Sequence, residues 1–126
     1  YFWDYMTGLE NAQYFLEERF NKNEVEDAFR YWKLEQYQNK LVKNYSLGMR
    51  QKLMLMICFL SKAPIMLLDE PTNSLDQQSI KLFYDMIHTA SKEGRIVIFT
   101  THVVYELENN CSQLYIIRNK KIRTTL

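Results

Sequence analysis

Ile65-Met66-Leu67-Leu68-Asp69-Glu70-Pro71-Thr72-Asn73-Ser74-Leu75-Asp76 is the stretch on which the reading of this chain turns. Four consecutive apolar residues predict a short strand buried on both faces. Two carboxylates follow at the point where such a strand emerges. Phosphoryl chemistry needs that placement: one carboxylate near a divalent cation, a second to orient and polarise an attacking water. A strand end holds both rigidly, because ligand sites lie beyond the carboxyl ends of parallel strands. An ordinary acidic turn after a core strand gives the same local pattern, so the flanking sequence has to decide.

Downstream, Ile80, Phe83, Tyr84, Ile87 and Ala90 share one side of a helix predicted from about Gln77 to Glu93, with Gly94 as its C-cap. Ile96-Val97-Ile98-Phe99 reads as a second buried strand, closed by Thr100-Thr101-His102. A short helix is expected around Val104 to Asn109. Leu114 to Ile117 then reads as a strand that hairpins through Asn119-Lys120 into an edge strand, Ile122 to Thr125, marked by Arg118, Lys121 and Arg123. Strand, helix, strand, helix, strand is the signature of a parallel sheet with covering helices, an α/β fold.

Upstream the pattern is helical. Leu9, Ala12, Phe15, Leu16 and Phe20 recur at three- and four-residue steps. Asn21-Lys22-Asn23 breaks the run, and Val25, Ala28, Phe29, Trp32 and Leu34 continue it on a second helix. A third is expected from Leu47 to Ser61, with Ser46 as N-cap and Pro64 marking the exit. Residues 1–62 thus form a helical subdomain, and residues 63–126 the strand-containing half.

Composition excludes several classes. A formal net charge of +1 argues against a basic nucleic-acid binder. The apolar run from Leu53 to Leu60 is far shorter than the ~20 residues a membrane helix needs. Cys58 and Cys111 show no paired or metal-ligand spacing and read as free thiols of a reducing compartment. Asn44-Tyr45-Ser46 and Asn110-Cys111-Ser112 match glycosylation sequons, which carry no weight without a secretory signal. Tyr1-Phe2-Trp3, an apolar opening with no initiator Met, looks like a cut inside a longer protein.

Taken in order and spacing, Tyr45 to Gln51, Ile65 to Glu70, Asn73 to Asp76 and His102 resemble the signature motif, Walker B, D-loop and switch histidine of the ATP-binding cassette (ABC) family. Met6 to Asn11 is similar to the segment that follows the family's Q-loop. The match covers nearly the whole chain. It implies a partial P-loop NTPase fold: a helical subdomain, then an incomplete parallel sheet with flanking helices and a C-terminal hairpin.

The resemblance also implies roles. Asp69 would contact Mg²⁺, Glu70 would act as general base, and His102 would contact the γ-phosphate of ATP. Ser46, Gly48, Gln51 and Asp76 would lie on the nucleotide side, with Asp76 communicating across a head-to-tail dimer of ATPase subunits. Ser46 and Gly48 suit that task physically. Unpaired amides and the dipole of a helix N-terminus favour phosphate, and Gly48 has no side chain to obstruct its approach.

Two departures matter. The commonest family signature is Leu-Ser-Gly-Gly-Gln; here Tyr45, Leu47 and Met49 replace its Leu, first Gly and Gln, while Ser46 and Gly48 remain. Such variants look like those of exporter ATPases paired with separate permease chains, peripheral to the cytoplasmic face of the membrane. Second, glycine occurs only at 8, 48 and 94, none followed by Lys, so the phosphate-cradling Gly-x-x-x-x-Gly-Lys-Ser/Thr is absent. The expectation is an ATPase subunit of which these 126 residues alone neither bind ATP tightly nor hydrolyse it. In the implied fold the P-loop strand lies between the strands at 96–99 and 114–117. The chain is therefore expected to close that gap, fill it with another copy, or distort its C-terminal half.

Other residues read more plainly. His88 is expected to be a solvated or hydrogen-bonded helix residue rather than a ligand, and His102 with Glu106 lacks a third metal ligand. Met49, Met54, Met56 and Met66 read as core filler. Tyr14, Phe15, Phe20, Phe29, Tyr31 and Trp32 read mostly as packing, with a minority left to receive a permease's coupling helix. Lys120, Lys121 and Arg123 read as solvated hairpin residues. Two alternatives stay open: a non-catalytic interaction module, and an ABC ATPase of the chromosome-maintenance or ribosome-associated type.

Overall fold

A computed structural model describes residues 1–103, 107, 110–118 and 120–125. The helical half comprises α1 (Gly8–Leu16), α2 (Lys22–Tyr31) and α3 (Leu47–Leu60), linked by short 3₁₀ turns. Each helix starts where its sequence supplies a cap. Thr7 and Glu10 form a reciprocal capping box on α1, Thr7 Oγ1 accepting from Glu10 N at 3.1 Å and Glu10 Oε2 accepting from Thr7 N at 2.7 Å. Asn21 caps α2 by accepting from the amides of Asn23 and Glu24. The expected break at residues 21–23 is therefore the start of the second helix, and Leu34 lies beyond its end. Ser46 caps α3 as expected, accepting from Met49 N at 3.2 Å.

Buried Asn11 fastens the N-terminal segment to α1. Its side-chain amide donates to the carbonyls of Trp3 and Thr7 at 3.0 and 2.9 Å, and its oxygen accepts from Trp3 N at 2.8 Å. That buried polar side chain thereby has its own donors and acceptor paired with backbone groups.

In the second half, β1 (Ile65–Leu68) and β2 (Ile96–Phe99) pair in parallel, Leu68 opposite Phe99. Between them α4 (Gln77–Lys92) crosses over, capped by Asp76 and closed by Gly94 at φ 77°, the left-handed conformation for which the glycine was expected. One apolar core runs through both halves, from Ala12, Phe29 and Trp32 through Leu53, Met56 and Phe59 to Met66, Phe83 and Ala90. Met56 and Met66 are buried in it, and Met49 and Met54 pack at its edge, as read from the sequence.

One expectation about the sheet is corrected. The strands are buried on one face rather than two: Met66 and Leu68 face the core, while Ile65, Leu67, Ile96 and Ile98 are 56%, 74%, 54% and 56% exposed. Within this chain α4 and α3 cover one side only, so alternate residues face outward. Of the outcomes expected for the C-terminal half, direct closure of the gap is not seen among the described strands. β3 (Leu114–Arg118) and β4 (Lys121–Thr125) form their own antiparallel hairpin, and the described strands make two separate two-stranded sheets. The helix expected at 104–109 lies largely outside the described residues, as do Glu106 and Asn119. Among the described residues no helix is long and apolar enough to cross a membrane.

Candidate functional site

Parallel pairing carries the ends of β1 and β2 out of the core side by side, and the ladder continues one step further, Thr100 N donating to Leu68 O at 3.0 Å. That extra bond fixes the acidic pair against the end of β2. Thr100 Oγ1 donates to Asp69 Oδ1 at 2.5 Å and accepts from Glu70 N at 3.0 Å, so one hydroxyl sets the positions of both acidic residues. Two residues on, His102 Nε2 lies 2.5 Å from Glu70 Oε1. The second carboxylate oxygen of Glu70 accepts from Asn73 Nδ2. Asp69, Glu70 and His102, singled out by their sequence positions, thus cluster at the paired ends of β1 and β2. His102 is more exposed than Glu70, its side chain 87% accessible against 32%.

The loop after the acidic pair is tightly wound. Asn73 N donates to Glu70 O at 3.1 Å and Leu75 N to Thr72 O at 3.2 Å. Glu70 and Ser74 both adopt positive φ, 44° and 66°, which L-residues hold only when their surroundings enforce it. The loop ends at Asp76, whose Oδ1 accepts from Ser79 N at 2.8 Å and Ser79 Oγ at 2.9 Å, capping α4. The backbone amide of Ser79 holds the Asp76 carboxyl below its ordinary range, with nearby Lys52 adding to the effect.

The α3 N-terminus stands against this loop. Ser46, its N-cap, is exposed. Gly48 is tighter than its sequence reading required: a Cβ there would lie 2.6 Å from the Ser74 carbonyl oxygen. Its missing side chain therefore serves a contact inside the chain. Gln51, expected on the nucleotide side, donates through Nε2 to the Pro71 carbonyl at 2.8 Å. Tyr45, which replaces the usual Leu, is buried and donates to Tyr37 O at 2.7 Å; burial pushes its phenol up to about 12. Two participants escaped the sequence reading: Thr100 as the shared anchor, and Asn73 as a partner of Glu70. A hydroxyl residue directly after a buried strand, facing an acidic pair one strand away, is the pattern that could have revealed the first.

The arrangement offers hard oxygen donors at an exposed strand end beside a helix N-terminus. That donor chemistry fits Mg²⁺ and phosphate. Among the described residues, no group of three or more His, Cys, Asp or Glu could hold a metal without other ligands. His88 takes the ordinary role expected of it, its Nε2 lying 3.1 Å from Asn110 Oδ1.

Comparison with known proteins points the same way. A protein-family model described as "ABC transporter" matches residues 2–73, more than half of the chain. An uncharacterised ABC transporter ATP-binding protein, YdbJ of Bacillus subtilis, is 35% identical over 97% of this chain and 41% of its own length. The ABC transporter ATP-binding protein NatA of the same organism is 30% identical over 95% of this chain and 51% of its own. A solved ATP-binding subunit of an ABC transporter superposes with a TM-score of 0.82 at 23% identity, covering 98% of this chain and 55% of that one. The chain thus spans 41% to 51% of the length of these two curated relatives.

Proposed function

This chain belongs to the ABC transporter family, and from that premise we propose that it supplies the catalytic acidic pair and the signature helix of an ATP-hydrolysing subunit. That subunit drives a separate permease of the exporter type, at the cytoplasmic face of the membrane. The observation that carries this reading is the contact of Glu70 with His102 at 2.5 Å, beside Asp69, at the paired ends of two parallel strands.

In this reading Asp69 would hold Mg²⁺, which when bound neutralises charge on the phosphate oxygens. Glu70 accepts the proton of the attacking water. Both of its oxygens are engaged in the structure, by His102 and by Asn73. Each oxygen keeps a second lone pair, so Glu70 can still take a proton while these contacts are made. His102, the more exposed, is the one that exchanges the carboxylate for a phosphate oxygen when nucleotide arrives. Ser46 and the amides at the start of α3 face phosphate held by a second ATPase subunit in a head-to-tail pair. Trp3, Tyr5, Tyr14 and Phe15, all exposed on the helical half, offer an apolar aromatic surface to the permease.

The test is Glu70→Gln in the full-length protein. It should retain nucleotide and lose turnover by about a hundredfold or more, as expected when a general base is removed. Turnover at the parental rate overturns the assignment. The 126 residues alone contain no Gly-x-x-x-x-Gly-Lys-Ser/Thr and should neither hold ATP tightly nor hydrolyse it. Calorimetry giving a micromolar affinity for this segment would contradict that part.

A further inference from the structure

We propose that Gln51 is a positioning residue that, with Lys52, locks the loop carrying the acidic pair to the signature helix, so that both parts of the catalytic apparatus in one chain move as a unit. The inference rests on the ATPase reading above and deepens it.

Three independent contacts join the first turns of α3 to residues 69–76. Gln51 Nε2 donates to the carbonyl of buried Pro71 at 2.8 Å, directly after Glu70. Gly48 packs so closely on the Ser74 carbonyl that a methyl group would not fit. Lys52 Nζ lies 3.5 Å from Asp76 Oδ2, at the loop's far end. The loop needs such restraint, because Glu70 and Ser74 are both held at positive φ. On its other side Thr100 holds it, meeting Asp69 and the Glu70 amide. Gln51 is thus the hydrogen-bond donor that opposes Thr100 across the loop. Without it, the Pro71 carbonyl is left buried with no side-chain donor, and the strained Glu70 backbone can relax.

A positioning role predicts loss of rate without loss of nucleotide affinity, since geometry at the reacting atoms is what suffers. In the full-length protein, Gln51→Glu keeps the size of the side chain but cannot donate to Pro71. It should lower kcat about tenfold or more while KM for ATP stays within about twofold. Gln51→Lys, which restores a donor, should recover much of the rate. Parental kcat in Gln51→Glu, a KM rise that accounts for the whole loss, or equal losses in the Glu and Lys variants would each overturn the proposal.

Should Gln51→Glu fail to fold by circular dichroism, Lys52→Met cuts the second tie. It should lower kcat several-fold at unchanged KM, and an unchanged kcat there overturns the proposal. Glu70→Gln is measured alongside. If it turns over normally, the ATPase reading itself falls; if it is inactive while Gln51→Glu is normal, only the positioning role falls.

Discussion

Gly8 and Tyr45 show how much a single atom decides in this molecule. A Cβ at Gly8 would lie 2.2 Å from Tyr45 Oη and 3.2 Å from Phe29 Cζ, so the glycine exists to admit the phenol. The phenol in turn holds the residue before the Ser46 cap, by donating to Tyr37 O. Gly8→Ala should therefore destabilise the fold by about 1–3 kcal/mol, the range for overpacking a filled site. Equilibrium denaturation checks it, and a change below about 0.5 kcal/mol would show that Tyr45 can move aside. The Tyr45 phenol was legible in the sequence only as a departure from a motif. Its partner Gly8 was legible only as part of a helix opening, because no local pattern records that two residues so far apart will touch. Asp69, Glu70 and His102 were legible because each stands at the end of a recognisable apolar strand.

Among the elements, α4 joins the candidate site to the body of the fold, and its start depends on Asp76. Removing the cap with Asp76→Ala should cost about 1 kcal/mol. The folded-state carboxyl lies below its ordinary value of 3.8, chiefly through the Ser79 amide. Its stabilisation is therefore fully present above about pH 4 and is lost as pH falls through the depressed folded-state value. Acid unfolding followed by circular dichroism should show the Asp76→Ala variant less sensitive to pH in that window. Identical acid profiles would remove the cap from the account. Helix starts were partly readable. Ser46 announces α3 plainly, whereas Asn21 read as a break because the same residue types that cap helices also interrupt them.

At the scale of the whole molecule, the β1–β2 pair presents Ile65, Leu67, Ile96 and Ile98 as an outward apolar face. Exposed contiguous apolar surface of this kind drives association. The 126-residue chain by itself should bind a hydrophobic dye and self-associate at micromolar concentration, and Leu67→Lys with Ile98→Lys should relieve both. Light scattering reads the outcome; a monodisperse monomer with no dye binding would show that the face is covered in solution. By itself the sequence pointed to the order and type of the main elements, the caps at Ser46 and Gly94, and the acidic pair with its histidine as the candidate site. These follow from periodicity, capping chemistry and motif spacing, all local along the chain. Only the tertiary structure decided which strand faces are buried, that the described strands form two sheets, and that Gln51 and Gly48 serve Pro71 and Ser74. Burial and contact depend on which elements are present to pack against a surface, and that is a property of the assembled fold.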